Sequence, residues 1–121
     1  YRFPKLTDAE RSAGQTYAMH LPSMFVVGHV DYVRTVRLMP LGPERTELVA
    51  EWLFHPDAIA EKERIEAIVG FGSLVLKQDA DICEVNQRGL RSARHEAGML
   101  MPEEYDIARF HDWVAARTAA R

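Results

Sequence analysis

From Arg64 to Leu90 apolar side chains return every three or four positions. Ile65, Ile68, Val69, Gly72, Val75, Leu76, Ile82, Cys83 and Leu90 form one stripe along a long predicted helix. Lys77, Asp81, Glu84 and Arg88 take the other face, where Lys77–Asp81 and Glu84–Arg88 are spaced to pair across one turn. Asp79 breaks the pattern. It stands inside the stripe, with Val75 and Leu76 one turn before it and Ile82 and Cys83 one turn after. Gly70 and Gly72 cost the helix about 1 kcal/mol each relative to alanine. They mark either close packing, with or without a kink, or room left for a ligand. Gly89 is the expected residue just past the helix end.

Upstream the period changes from helical to alternating. Met24 to Val30, Tyr32 to Leu41 and Arg45 to Phe54 read as three strands with short connections, an antiparallel meander. The last is the clearest, because Thr46, Leu48, Ala50, Trp52 and Phe54 share one face while Arg45, Glu47 and Glu51 lie on the other. A turn at Pro40-Leu41-Gly42-Pro43 joins the second strand to the third. Residues 1–14 read as a lead-in with one helical turn from Thr7 to Ser12, capped by Thr7 or Asp8. Pro56 to Glu63 is a short helix or the start of the long one. A final helix begins near Pro102, with Ile107, Phe110, Trp113 and Val114 as its stripe and a frayed tail after Val114. The order is β-β-β-α-α, an α+β chain.

Length and composition narrow the function. A chain of 121 residues buries one modest core, so one domain or a piece of one is expected. The net charge of −3 and the lack of a basic cluster argue against nucleic acid. No apolar run approaches a membrane span and no signal peptide is visible, which points to the cytoplasm. The single Cys83 rules out an internal disulfide and fits a reducing compartment. The first residue is Tyr1, as in a fragment or a trimmed chain.

Chemistry therefore centres on Asp79. An ionised carboxylate on a core-facing stripe is costly unless a cation, a metal or several donors meet it. A structural ion pair or cap contact answers that need as well as a metal does. Elsewhere the titratable residues are plain. His20 and His29 suit surface or satisfied core positions on strands, although Phe25, Val27 and His29 alternate onto one face and could line a pocket. His55 leads into the Pro56-Asp57 turn, His95 and His111 have no metal spacing, and Arg88, Arg91 and Arg94 suit a helix C-terminus.

The wording around Asp79 adds to this. QDADICEVNQRGL, continued by RSARHEAGMLMPEEYDIARFHDW, closely resembles the C-terminal end of the alpha subunits of Rieske non-haem iron oxygenases, the ring-hydroxylating dioxygenase family. LPSMFVVGHVDYVRTVRLMPLGPERTELVAEWLFHP resembles the hairpin region just before it, so the likeness runs from about Tyr17 to Trp113. The resemblance implies the motif D-x-x-x-C-E-x-x-Q-x-G at Asp79, Cys83, Glu84, Gln87 and Gly89, with Asp79 as the carboxylate of a facial triad on mononuclear iron(II). It implies the C-terminal portion of a helix-grip (START-like) catalytic domain over residues 1–121, with an antiparallel meander, a long helix and a C-terminal helix. The family's two iron-binding histidines and its Rieske 2Fe-2S cluster would lie on sequence before this chain, which alone is then expected to be inactive.

The implied reaction uses O2 and NAD(P)H-derived electrons, delivered by reductase or ferredoxin partners to a homo-oligomeric oxygenase, to hydroxylate a small aromatic or related organic substrate. Phe25, Val27, His29, Phe71, Gly72 and Val75 are the pocket-wall candidates by position. Glu84, Gln87 and Arg88 are left to the helix surface or a subunit contact. Two alternatives stand beside this reading: a monooxygenase or demethylase of methylated or quaternary amines, which would need an aromatic or acidic cage, and a metal-free helix-grip ligand binder.

Overall fold

In a computed structural model describing residues 1–119, the alternating pattern becomes four strands rather than three. They are β1 (Gln15–His20), β2 (Met24–His29), β3 (Tyr32–Gly42) and β4 (Arg45–Phe54), paired antiparallel in the order β1-β2-β3-β4. The strand missing from the sequence reading is β1. It is an edge strand, exposed at all positions but Met19, so no burial pattern marks it. Val30 and Asp31 turn β2 into β3. β3 runs on through Pro40 to Gly42 with a register irregularity between them, so the next turn is Pro43-Glu44 and not the four residues from Pro40. Proline is tolerated there because the ladder is already disturbed.

Before the sheet, α1 (Asp8–Ala13) is held by a reciprocal cap at Thr7. The Glu10 backbone N–H donates to the Thr7 hydroxyl at 3.2 Å, and the Thr7 backbone N–H donates to the Glu10 carboxylate at 2.7 Å. Gly14 ends the helix at φ 78°, a left-handed conformation that suits glycine, and its N–H donates to the Glu10 carbonyl. Thr7→Ala removes one arm of the cap. Amide exchange within α1 is expected to speed up about fivefold, with the sheet amides unchanged.

The helical period becomes α2 (Lys62–Leu90), a single helix of 29 residues, and α3 (Tyr105–Thr118). Neither Gly70 nor Gly72 interrupts α2. Gly89 lies inside it rather than past its end, and Arg91 caps it by donating to the Arg88 and Gly89 carbonyls. Pro56–Ala58 is a separate 3-10 turn capped by His55, whose Nδ1 accepts the Asp57 N–H at 3.2 Å. The tail expected to fray after Val114 stays helical through Thr118; its last two residues lie outside the described ones. Arg117 stacks over the Trp113 ring at 3.9 Å and donates to the Trp113 carbonyl, which supports that last turn.

The chain divides into two compact units, one of Tyr1–Ala60 with the chain from Asp106 onwards, the other of Glu61–Tyr105. In the first, the core lies on the central strands, where Val27 is 3% exposed and Val36 8%. Among the described residues, no helix is long and apolar enough to cross a membrane.

Candidate functional site

The second unit carries Asp79. Along α2 the stripe from Ile65 through Ile68, Val69, Gly72, Val75 and Leu76 is buried or half-buried, and from Lys77 to Leu90 every residue is exposed. Asp79 is the first member of the stripe beyond that boundary. The expectation that it is buried is therefore corrected: its carboxylate meets solvent because the apolar residues that share its end of the helix are uncovered too. Ile82 is 68% exposed, and Val85 and Leu90 are exposed with it. Lys77 and Asp81 pair as their spacing predicts, at 3.0 Å. Cys83, one turn past Asp79, is a free, exposed thiol.

The pocket-wall candidates on α2 divide. Gly72 is buried and Val75 half-buried, whereas Phe71 is 71% exposed and lies off the stripe. Phe71 and Gly72 therefore do not share a side, since adjacent helix positions point about 100° apart.

The first unit contains the remaining candidates, and the register puts them on one face of the sheet. Across the strands, one row runs Gln15, His29, Tyr32 and Phe54. The next is Tyr17, Val27, Arg34 and Trp52, and a third is Met19, Phe25, Val36 and Ala50. Leu38 and Leu48 extend it. The His29 imidazole stacks on Tyr32 with centroids 4.1 Å apart, and Tyr32 leans on Phe54 at 5.4 Å. Phe25 and His29 are half-buried; Val27 is core.

Sequence reasoning passed over three residues here. Arg34 is the only formally charged side chain on these rows. The alternation Tyr32, Arg34, Val36, Leu38 was the available signal, because it places an arginine among inward-facing residues. Trp52 was noted for its face and not for its chemistry. Asp31, 6% exposed in the β2–β3 turn, is the buried carboxylate among the described residues, a status its position after a strand did not reveal.

These groups influence one another. Burial pushes the His29 imidazole below its ordinary value, the Arg34 guanidinium pushes further, and Asp31 partly opposes them. His29 is therefore neutral at pH 7. Burial raises the Tyr32 phenol, with Asp31 and Tyr17 adding to the shift and Arg34 opposing it. His29 Nε2 and Arg34 Nε are closed off from solvent, and neither has a hydrogen-bond partner among the described residues. A recess of about 250 Å³ lies against the opposite face at Thr16, Gly28 and Val33, walled by Phe3, Leu6 and Glu10. Gln15 and His29 also line it.

A metal finds little in this chain alone. Among the described residues no three or more His, Cys, Asp or Glu side chains come together to hold an ion. Asp79 supplies one oxygen donor, so the residues present do not by themselves fit a complete iron centre.

Comparison with known proteins bears on both sites. The family model described as ring hydroxylating alpha subunit (catalytic domain) matches residues 2–120. Choline monooxygenase, chloroplastic, from Atriplex hortensis is 30% identical over 99 residues, covering 81% of this chain and 23% of that protein. The Spinacia oleracea protein of the same name is also 30% identical over the same span, at 81% and 23%. The glycine betaine monooxygenase oxygenase subunit of Chromohalobacter salexigens is 28% identical over 113 residues, covering 89% of this chain and 25% of the relative. The chain thus spans about a quarter of the length of the curated relatives it matches. No solved structure matches it.

Proposed function

The chain belongs to the family of ring hydroxylating alpha-subunit catalytic domains, and on that premise we propose that it is the C-terminal part of a Rieske-type monooxygenase acting on a methylated or quaternary amine. Proteins of this family use a mononuclear iron and a Rieske 2Fe-2S cluster. In the proposed reaction one atom of O2 enters a substrate C–H bond and the other leaves as water. NAD(P)H supplies the two electrons through reductase and ferredoxin partners, and the second proton comes from solvent.

Within this protein Asp79 is one oxygen ligand of the iron, and the other ligands come from outside this chain. Further protein surface covers the open end of α2, which turns the exposed stripe around Asp79 into an interior one. A homo-oligomer suits the uncovered Val85 and Leu90. The exposed Cys83 thiol suits a reducing compartment, whether cytoplasm or the plastid named for the plant relatives.

The observation that carries the amine reading is the aromatic face of the sheet. Tyr17, Tyr32, Trp52 and Phe54 occupy two adjacent rows of one face. Aromatic π-faces attract quaternary ammonium groups, each contact contributing about 0.5–2 kcal/mol. An aromatic-ring substrate, the leading expectation from the apolar wall residues, has less support because the curated relatives named above are monooxygenases of choline and glycine betaine. Substrate-dependent O2 uptake by the iron-loaded full-length protein, with its reductase and NAD(P)H, separates the two. Uptake with choline or glycine betaine is expected. Uptake with benzoate and with neither amine would return the assignment to aromatic oxidation.

A further inference from the structure

We propose that Arg34, with His29 beside it, binds a carboxylate, so that the substrate is a quaternary amine that also carries an acid group and not a bare cation. This rests on the amine reading above and narrows it.

Three features of the first unit combine. Arg34 is the sole formal charge on a face made mostly of aromatic and aliphatic side chains, with His29 and Gln15 one row away, and it stands directly opposite Trp52 in the register. Its Nε is excluded from solvent without a hydrogen-bond partner among the described residues. A buried, charged N–H donor left unmade is expensive, so the position calls for an acceptor, and an anionic one suits it best. His29 Nε2 is closed off in the same way one row along. Because that imidazole is held neutral, its Nε2–H can donate without adding a second positive charge.

The sign of the charge decides between substrates. A monocation such as choline, seated on Tyr32, Trp52 and Phe54, would be held by the rings and repelled by Arg34, which shares their face of the sheet. A betaine has its carboxylate one methylene from the ammonium nitrogen. Its cationic head can lie on the rings while the acid group reaches Arg34, which converts repulsion into a charge-assisted hydrogen bond. The face thus matches a zwitterion in both halves.

The test is calorimetric titration of the iron-loaded full-length protein with glycine betaine and with choline, for the wild type, Arg34→Gln and Arg34→Lys. Wild type is expected to bind glycine betaine about 10- to 100-fold more tightly than choline. Arg34→Gln should erase that preference by weakening glycine betaine while choline is unchanged or improved, and Arg34→Lys should restore part of it. Equal affinity for the two ligands in wild type overturns the carboxylate site and leaves the amine reading standing. So does an Arg34→Gln variant that loses thermal stability yet keeps the preference, which would show that Arg34 pairs with a protein carboxylate. Binding of neither ligand overturns both readings.

Discussion

Asp79→Ala in the full-length oxygenase proposed to carry this chain is expected to reduce bound iron to trace levels and turnover by more than about 100-fold. The expectation has force because Asp79 makes no hydrogen bond or ion pair with another side chain of α2 among the described residues, so its task in the full-length protein is the proposed one. Helix content should match wild type, and the thermal midpoint should match that of iron-free wild type, while iron analysis does not. A variant that keeps its iron would remove Asp79 from the metal site. One that loses iron only because it unfolds would show that the residue is structural.

Val27→Lys is the second large effect expected. Val27 is 3% exposed and faces Arg34 directly across β2 and β3. The substitution removes a buried side chain and sets an ammonium group against a guanidinium on a face with no carboxylate. A loss of about 3–5 kcal/mol follows, read by chemical denaturation. Leu53→Lys makes a similar change on the opposite face of β4, where the residue is 54% exposed, and should cost no more than about 0.5 kcal/mol. Similar losses at the two positions would mean that the aromatic side is not the packed side of this sheet.

Much of this architecture was readable from periodicity. The face of Leu48, Ala50, Trp52 and Phe54 emerged from simple alternation, and the register confirms it. The Thr7–Glu10 cap, the Lys77–Asp81 pair and both long helices followed from residue type and spacing. Errors arose where a local rule met a non-local fact. Gly89 reads as a helix end, yet the helix runs one residue past it, because a glycine penalty of about 1 kcal/mol cannot outweigh an established hydrogen-bond ladder. β1 is recruited by its neighbour β2 and has little burial pattern of its own.

The candidate site was partly legible. Asp79 stands out because a carboxylate on an apolar stripe is conspicuous, but a stripe reports only which face seeks cover, not whether this chain supplies it. Phe71 lies on a different side of the helix from Gly72, which proximity in sequence does not tell. Arg34 and Asp31 needed coordinates. One is notable for an N–H left without an acceptor, the other for a turn folded out of reach of water, and neither property is local to the sequence.

The boundary at Leu76 has a further consequence for how α2 behaves as a spring. Beyond that point the helix keeps its shape by intrachain hydrogen bonds and pairs such as Lys77–Asp81, each adding only a few tenths of a kcal/mol. Its distal turns are therefore held by little beyond themselves, and an iron ligand at Asp79, as proposed, would depend on their covering for a single pose. Whatever closes over those turns selects that pose. Grip on a bound ion then rises and falls with that closure, even when every ligand is present.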